Sequence, residues 1–163
     1  MYLVLGALSH TDGRWTLTRR IVIGIGNSFR RDDGVGMVVA DEVARRNLPG
    51  VCVLAAIAEP VAMLDTWGGA ELAVVVDAAT GAGSTPGRVQ RWTPGGDVPV
   101  VLSSHALGLA QTYALGRALG RIPDELVVLT VDVADTGNGV GLTPAVAAAV
   151  PAVVQAVLAE LER

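Results

Sequence analysis

The sequence predicts a three-layer α/β/α sandwich around a sheet of about five strands. Short Val/Ile-rich runs alternate with longer segments of helical period, the rhythm of an α/β fold. No repeat, low-complexity tract or linker breaks that alternation. The length of 163 residues suits one domain and is enough to enclose a layered core. With 51% hydrophobic residues but 4% aromatic ones, that core is expected to be aliphatic, made of Val, Ala and Leu.

The elements follow in chain order. The opening stretch is apolar, has no basic residue ahead of it, and is interrupted by His10 and Asp12 well short of a membrane span. Residues 1–19 are therefore expected to form an extension, either mobile or paired as an extra edge strand, ahead of a domain at 20–163. Ile21–Ile25 reads as a buried central strand running into a tight turn at Gly24-Ile25-Gly26-Asn27. From Gly34 to Arg46, Val35, Val38, Val39 and Val43 recur on one helical face, and Arg45 and Arg46 suit the C-terminal dipole.

Val51–Leu54 is a second strand, with Cys52 as a small buried hydrophobe, and Glu59–Trp67 is a short helix. Leu72–Val76 is the most hydrophobic run and ends abruptly in Asp77. The turn-rich loop Thr80–Gly87 leads to the alternating segment Arg88–Trp92, so these two strands are expected to form a wide hairpin with one antiparallel member. After a loop at Pro94–Leu102, Ser103–Leu119 reads as a helix capped by Ser103 or Ser104. It would carry His105 in its first turn and Leu107, Ala110, Ala114 and Ala118 on one face. Leu126–Val131 is a last buried strand, and Thr143-Pro144 opens a final helix with Thr as N-cap and Pro at the first helical position.

Composition removes several chemistries. The net charge of −4 and scattered basic residues argue against a nucleic-acid partner. All 12 basic residues are Arg, so neither a Schiff-base lysine nor a phosphate-loop lysine exists. Cys52 is the only cysteine, which excludes an intrachain disulfide and a cysteine metal cluster and suits the cytoplasm.

In open α/β sheets, ligands bind beyond the carboxyl ends of the strands. Asp33 follows the first strand, Asp77 ends the third, and His105 opens the helix after the hairpin, so all three are expected at one rim. Two carboxylates and an imidazole suit nickel, zinc or iron(II) and leave coordination positions open, as fits a metal carried by a substrate. Singly, each residue has an ordinary reading as a cap or loop anchor. Gly24-Ile25-Gly26-Asn27-Ser28-Phe29 is also close to a dinucleotide fingerprint, but Phe29 replaces the third glycine and no acidic residue ends the second strand. No G-x-S-x-G elbow surrounds any serine, although His105 oriented by Asp33 or Asp77 would also suit non-metal hydrolysis.

Ile23-Gly24-Ile25-Gly26-Asn27 with Asp32-Asp33-Gly34-Val35-Gly36 resembles the opening signature of the hydrogenase maturation proteases. Val74-Val75-Val76-Asp77-Ala78, Ser104-His105-Ala106-Leu107-Gly108-Leu109 and Gly139-Val140-Gly141-Leu142-Thr143-Pro144 resemble further motifs of that family, in order. The resemblance runs from about Arg20 to the end. It implies a sheet order of 2-1-3-5-4 and an endopeptidase that removes the C-terminal extension of a nickel-iron hydrogenase large-subunit precursor after nickel insertion.

It further implies that Asp33, Asp77 and His105 contact that nickel, with Gly26, Asn27 and Glu59 near the bound substrate. Ala58-Glu59-Pro60-Val61 departs from the glycine- and threonine-containing loop of some members. The expected protein is a monomer without a nucleotide cofactor or membrane attachment. The alternatives are a nickel-sensing module or chaperone that cuts nothing, and a nucleotide-binding α/β domain.

Overall fold

The computed structural model describes residues 9–11, 14–16, 19–56, 60–94 and 106–163. β1 (Ser9–Thr11) and β2 (Arg14–Thr16) pair with each other as an antiparallel ribbon separate from the main sheet, so this segment is not an added edge strand. The main sheet contains β3 (Arg20–Ile25), β4 (Val51–Ala56), β5 (Leu72–Ala79), β6 (Val89–Trp92) and β7 (Glu125–Asp132). Its order is β4-β3-β5-β7-β6, which is 2-1-3-5-4 counted by appearance in the sheet.

β3, β4, β5 and β7 are parallel, and β6 runs antiparallel at the edge. The expected hairpin between β5 and β6 does not form: β6 pairs with β7, with Gln90 opposite Thr130, and β7 with β5. The burial patterns explain the choice. Every residue of β5 is buried, as suits a strand flanked on both edges and covered on both faces. β6 is short and half-buried, which suits an edge. Arg91 on β6 also donates from Nε and Nη2 to the Glu160 carboxylate at 2.6 and 3.2 Å, fastening the edge to the last helix.

α1 (Val35–Ala44) and α4 (Pro144–Leu161) cover one face, where Val39, Val43, Val153 and Val157 meet Val74, Val76, Val127 and Leu129. α2 (Pro60–Trp67) and α3 (Ala106–Ala118) belong to the other, with Met63, Trp67 and Leu109 packed among Ile21, Ile23, Val75 and Val128. Cys52 is half-buried against this second cluster. α4 is long and apolar enough to span a membrane by composition, yet its Val146, Val153, Val154, Val157 and Leu161 close the first cluster.

The inward face of α3 differs from the expected one. Leu109, Thr112 and Gly116 are buried, whereas Ala110, Ala114 and Ala118 are exposed. Gly116 explains the rotation. A Cβ there would lie 2.6 Å from Leu64 Cδ2 and 2.8 Å from the Arg121 carbonyl, so α3 seats closely only on its glycine side. Leu107 lies outside the residues whose side chains are described.

Candidate functional site

At the carboxyl edge of the sheet, β3 runs through a short loop into a 3-10 turn at Arg31–Gly34 and then directly into α1. Glycine makes this path possible. A Cβ on Gly24 would lie 2.1 Å from the Gly36 carbonyl oxygen. One on Gly36 would lie 2.3 and 2.4 Å from the carbonyl oxygens of Ile25 and Val76. α1 therefore begins in backbone contact with the ends of β3 and β5. Gly26, at φ +151°, has the Asp33 carbonyl where its Cβ would stand. The space that these glycines leave is filled by the chain itself, rather than held open as a phosphate cradle.

This packing holds Asp33 against β5. Asp33 is 3% exposed, and its Oδ2 has no hydrogen-bond partner among the described residues. Asp77 is 1% exposed, and its Oδ1 accepts from the Ala78 amide at 2.8 Å. It lies inside β5 rather than at its end, because β5 continues through Ala79. Two buried carboxylates thus come to the carboxyl edge from neighbouring elements, an arrangement normally retained only with compensating charge or ligand.

Thr130 stands opposite Asp77 in the β5–β7 register and is 3% exposed, and its hydroxyl also lacks a partner among the described residues. An unpaired buried hydroxyl opposes folding, so Thr130→Val, which keeps the shape, is expected to raise unfolding free energy by about 1 kcal/mol. Urea titration checks this, and a loss of similar size would reveal a hidden partner.

The adjacent carboxylate has a different job. Asp32, fully buried, accepts from the Thr143 amide at 2.6 Å and hydroxyl at 2.8 Å, and from the Ala134 and Asp135 amides at 3.1 Å each. It ties the 3-10 turn to the loop after β7 and to the start of α4. Thr143 occupies the N-cap of α4 as expected, but its side chain caps nothing and serves Asp32 instead. Burial alone would push the Asp32 carboxyl up, but hydrogen bonds from Thr143, Asp135 and Ala134 outweigh it and hold the group below its ordinary value of 3.8.

The folded pKa is therefore the lower one. Asp32 contributes stability that is fully present above the ordinary value and lost as pH falls through the folded value. Asp32→Asn turns an NH2 group toward donors and is expected to cost about 2–3 kcal/mol and flatten the acid limb of the stability curve. Thermal denaturation from neutral to acid pH checks both. An unchanged acid limb would count against the assignment.

Asp132, fully buried at the end of β7, accepts from the Thr85 amide and Arg88 Nε through Oδ2 and from Gln90 Nε2 through Oδ1, at 2.8, 2.9 and 3.0 Å. It anchors the Thr80–Gly87 loop beside the site. The roles of Asp32, Asp132 and Thr130 were not anticipated from the sequence. The signal for Asp132 was an aspartate following an apolar run, as at Asp77.

Asn27 accepts the Phe29 amide on its Oδ1 at 2.9 Å, which shapes the loop. Phe29 is 73% exposed and takes no part in helix–strand packing. His105 and Glu59 lie outside the described residues, as do Ser103, Ser104 and the segment 95–102. In the chain, His105 immediately precedes α3. Among the described residues no group of three or more His, Cys, Asp or Glu side chains is placed to hold a metal. The described part of the predicted trio is the pair Asp33 and Asp77, which offers oxygen donors only.

The family model for hydrogenase maturation proteases matches residues 37–160, a span that contains Asp77 and begins just after Asp33. The chain is 27% identical over 149 residues to the hydrogenase 2 maturation protease of Escherichia coli K12, covering 88% of this chain and 90% of that one. Its fold is similar to the solved hydrogenase maturating endopeptidase HybD from E. coli, with a TM-score of 0.76 at 22% identity, covering 88% of this chain and 92% of that one. It is also similar to the [NiFe] hydrogenase maturation protease HybD from Thermococcus kodakarensis, with a TM-score of 0.69 at 22% identity and coverage of 89% and 99%.

Proposed function

Because the chain belongs to the hydrogenase maturation protease family, we propose that it is an endopeptidase that removes the C-terminal extension of a nickel-iron hydrogenase large-subunit precursor once nickel has been inserted. The observation that carries this reading is the pair of buried carboxylates Asp33 and Asp77 at the carboxyl edge, one with an oxygen unpartnered among the described residues. An oxygen so placed suits a cation delivered by a ligand.

The nickel is cargo of the substrate. Asp33 and Asp77, joined by His105 as the nitrogen donor, would complete its coordination and so place the adjoining peptide segment at the rim. A Lewis-acidic ion there polarises a carbonyl or lowers the pKa of bound water, and a carboxylate not engaged with the ion is a candidate general base. Recognition of the metal and selection of the mature precursor are then one event. The same reading makes the reducing cytoplasm the working compartment and a monomer sufficient.

The test is incubation of the protein with nickel-loaded and nickel-free precursor, followed by mass spectrometry of the large subunit. Loss of the tail from the loaded form alone is expected. Tight binding of loaded precursor with the tail intact would instead identify a nickel-sensing module that cuts nothing. The packing at Gly26, where the Asp33 carbonyl stands in the Cβ position, weighs against the nucleotide-binding alternative, since at that glycine a pyrophosphate would need open space.

A further inference from the structure

Among the described residues, the two most exposed large hydrophobic side chains are Phe29 and Val140, at 73% and 77%. They lie far apart in the chain, on two loops that backbone hydrogen bonds join. The Gly139 amide donates to the Phe29 carbonyl and the Arg31 amide to the Gly139 carbonyl, each at 2.9 Å, and Arg30 and Gly139 form a parallel bridge between the two loops. Phe29 and Val140 flank that bridge diagonally. Asp32 locks the base of both loops through the Ala134, Asp135 and Thr143 bonds. The single Phe of the chain is thus held out toward solvent on a pre-organised backbone.

We infer that Phe29 and Val140 form a docking face for the folded body of the precursor protein, beside the rim at which its tail would be cut. This rests on the reading that a protein precursor is the substrate. Three arguments select that occupant.

The patch is continuous with the site: the loop closes through Arg30 N to Asn27 O at 3.0 Å and Asp33 N to Arg30 O at 3.1 Å, which sets Phe29 one turn before Asp33. It is also small. A Phe and a Val together cover at most about 300 Å², against roughly 800 Å² per partner in a stable complex, so the patch alone would not hold a second copy of this chain. As an addition to a substrate already engaged at the carboxylates, its size suffices. Finally, a rigid aromatic anchor beside small apolar contacts is the composition in which binding energy concentrates, because little entropy is lost on docking.

The experiment measures binding and cleavage of nickel-loaded precursor by the wild type and by Phe29→Ser, Val140→Ser, Phe29→Leu and Leu119→Ser. Leu119 is a comparably exposed side chain at the amino edge, near the segment where Asp124 bonds Ala70. Phe29→Ser and Val140→Ser are expected to weaken precursor binding by about tenfold or more and to raise KM with kcat little changed. Phe29→Leu should bind between Phe29→Ser and the wild type, Leu119→Ser should bind like the wild type, and all four variants should keep the wild-type Tm.

Unchanged binding in Phe29→Ser overturns the docking face. So does a wild-type dimer that Phe29→Ser dissociates, because the occupant would then be a second copy. Binding is read separately from cutting, which keeps the two claims apart. Phe29-dependent binding with the tail left intact removes the protease reading and keeps this face, whereas tail removal with Phe29-independent binding does the reverse.

Discussion

Asp33→Asn is expected to slow tail removal from nickel-loaded precursor by about 10²–10³-fold, the usual consequence of deleting one pre-organised electrostatic group from an active site. Its effect on stability should be opposite in sense. Asp33 is 3% exposed with an oxygen that no described residue satisfies, so the substitution breaks no described hydrogen bond at that oxygen. Tm should therefore stay level or rise. Asp32→Asn next door should do the reverse, losing stability through the four hydrogen bonds it accepts. Paired measurements of tail-removal rate and Tm on the two variants separate the roles, and an active Asp33→Asn protein would sink the carboxylate mechanism.

Gly36→Ala is expected to be damaging out of proportion to its size, lowering stability by about 3–5 kcal/mol and Tm by on the order of 10 °C. The added Cβ would meet the Ile25 and Val76 carbonyl oxygens at 2.3 and 2.4 Å. Both are backbone atoms, so no rotamer change relieves the contact. α1 would have to withdraw, loosening Val35, Val39, Ala40 and Val43 from the sheet and moving the turn that carries Asp33. Gly108→Ala in α3 is the natural control. Among the described residues nothing lies within 4 Å of the new Cβ, and a helical Gly→Ala change should stabilise by up to about 1 kcal/mol. Thermal melts of the two variants check the contrast, and equal melts would show that the close approach of α1 to the sheet is not what Gly36 provides.

The fold was legible because its elements are periodic over short stretches. Val-rich runs marked β3, β4, β5 and β7, and the Val35–Val39–Val43 spacing marked α1, within a few residues of the observed bounds. The expected hairpin failed for a non-local reason. Adjacency in sequence favours pairing Arg88–Trp92 with the strand just before it, but a strand buried along all its length gains more from parallel neighbours such as β7, and the short half-buried β6 is left the edge. The α3 face was misread because alanines at helical spacing look apolar, while the surface that seats closely is decided by Gly116.

At the site, sequence alone set the expectation that Asp33 and Asp77 share one rim, since chain order in a parallel sheet sends every strand's carboxyl end to the same side. It did not divide the labour within Asp32-Asp33, two identical side chains on consecutive residues. Only the tertiary structure decided it. The groups that engage Asp32 come from residues 102 to 111 positions away, so no local pattern announces them, and they exhaust its oxygens while leaving Asp33 with one unpartnered among the described residues. A carboxylate's role is decided by the donors that reach it, and a chain brings distant donors to one place only by folding.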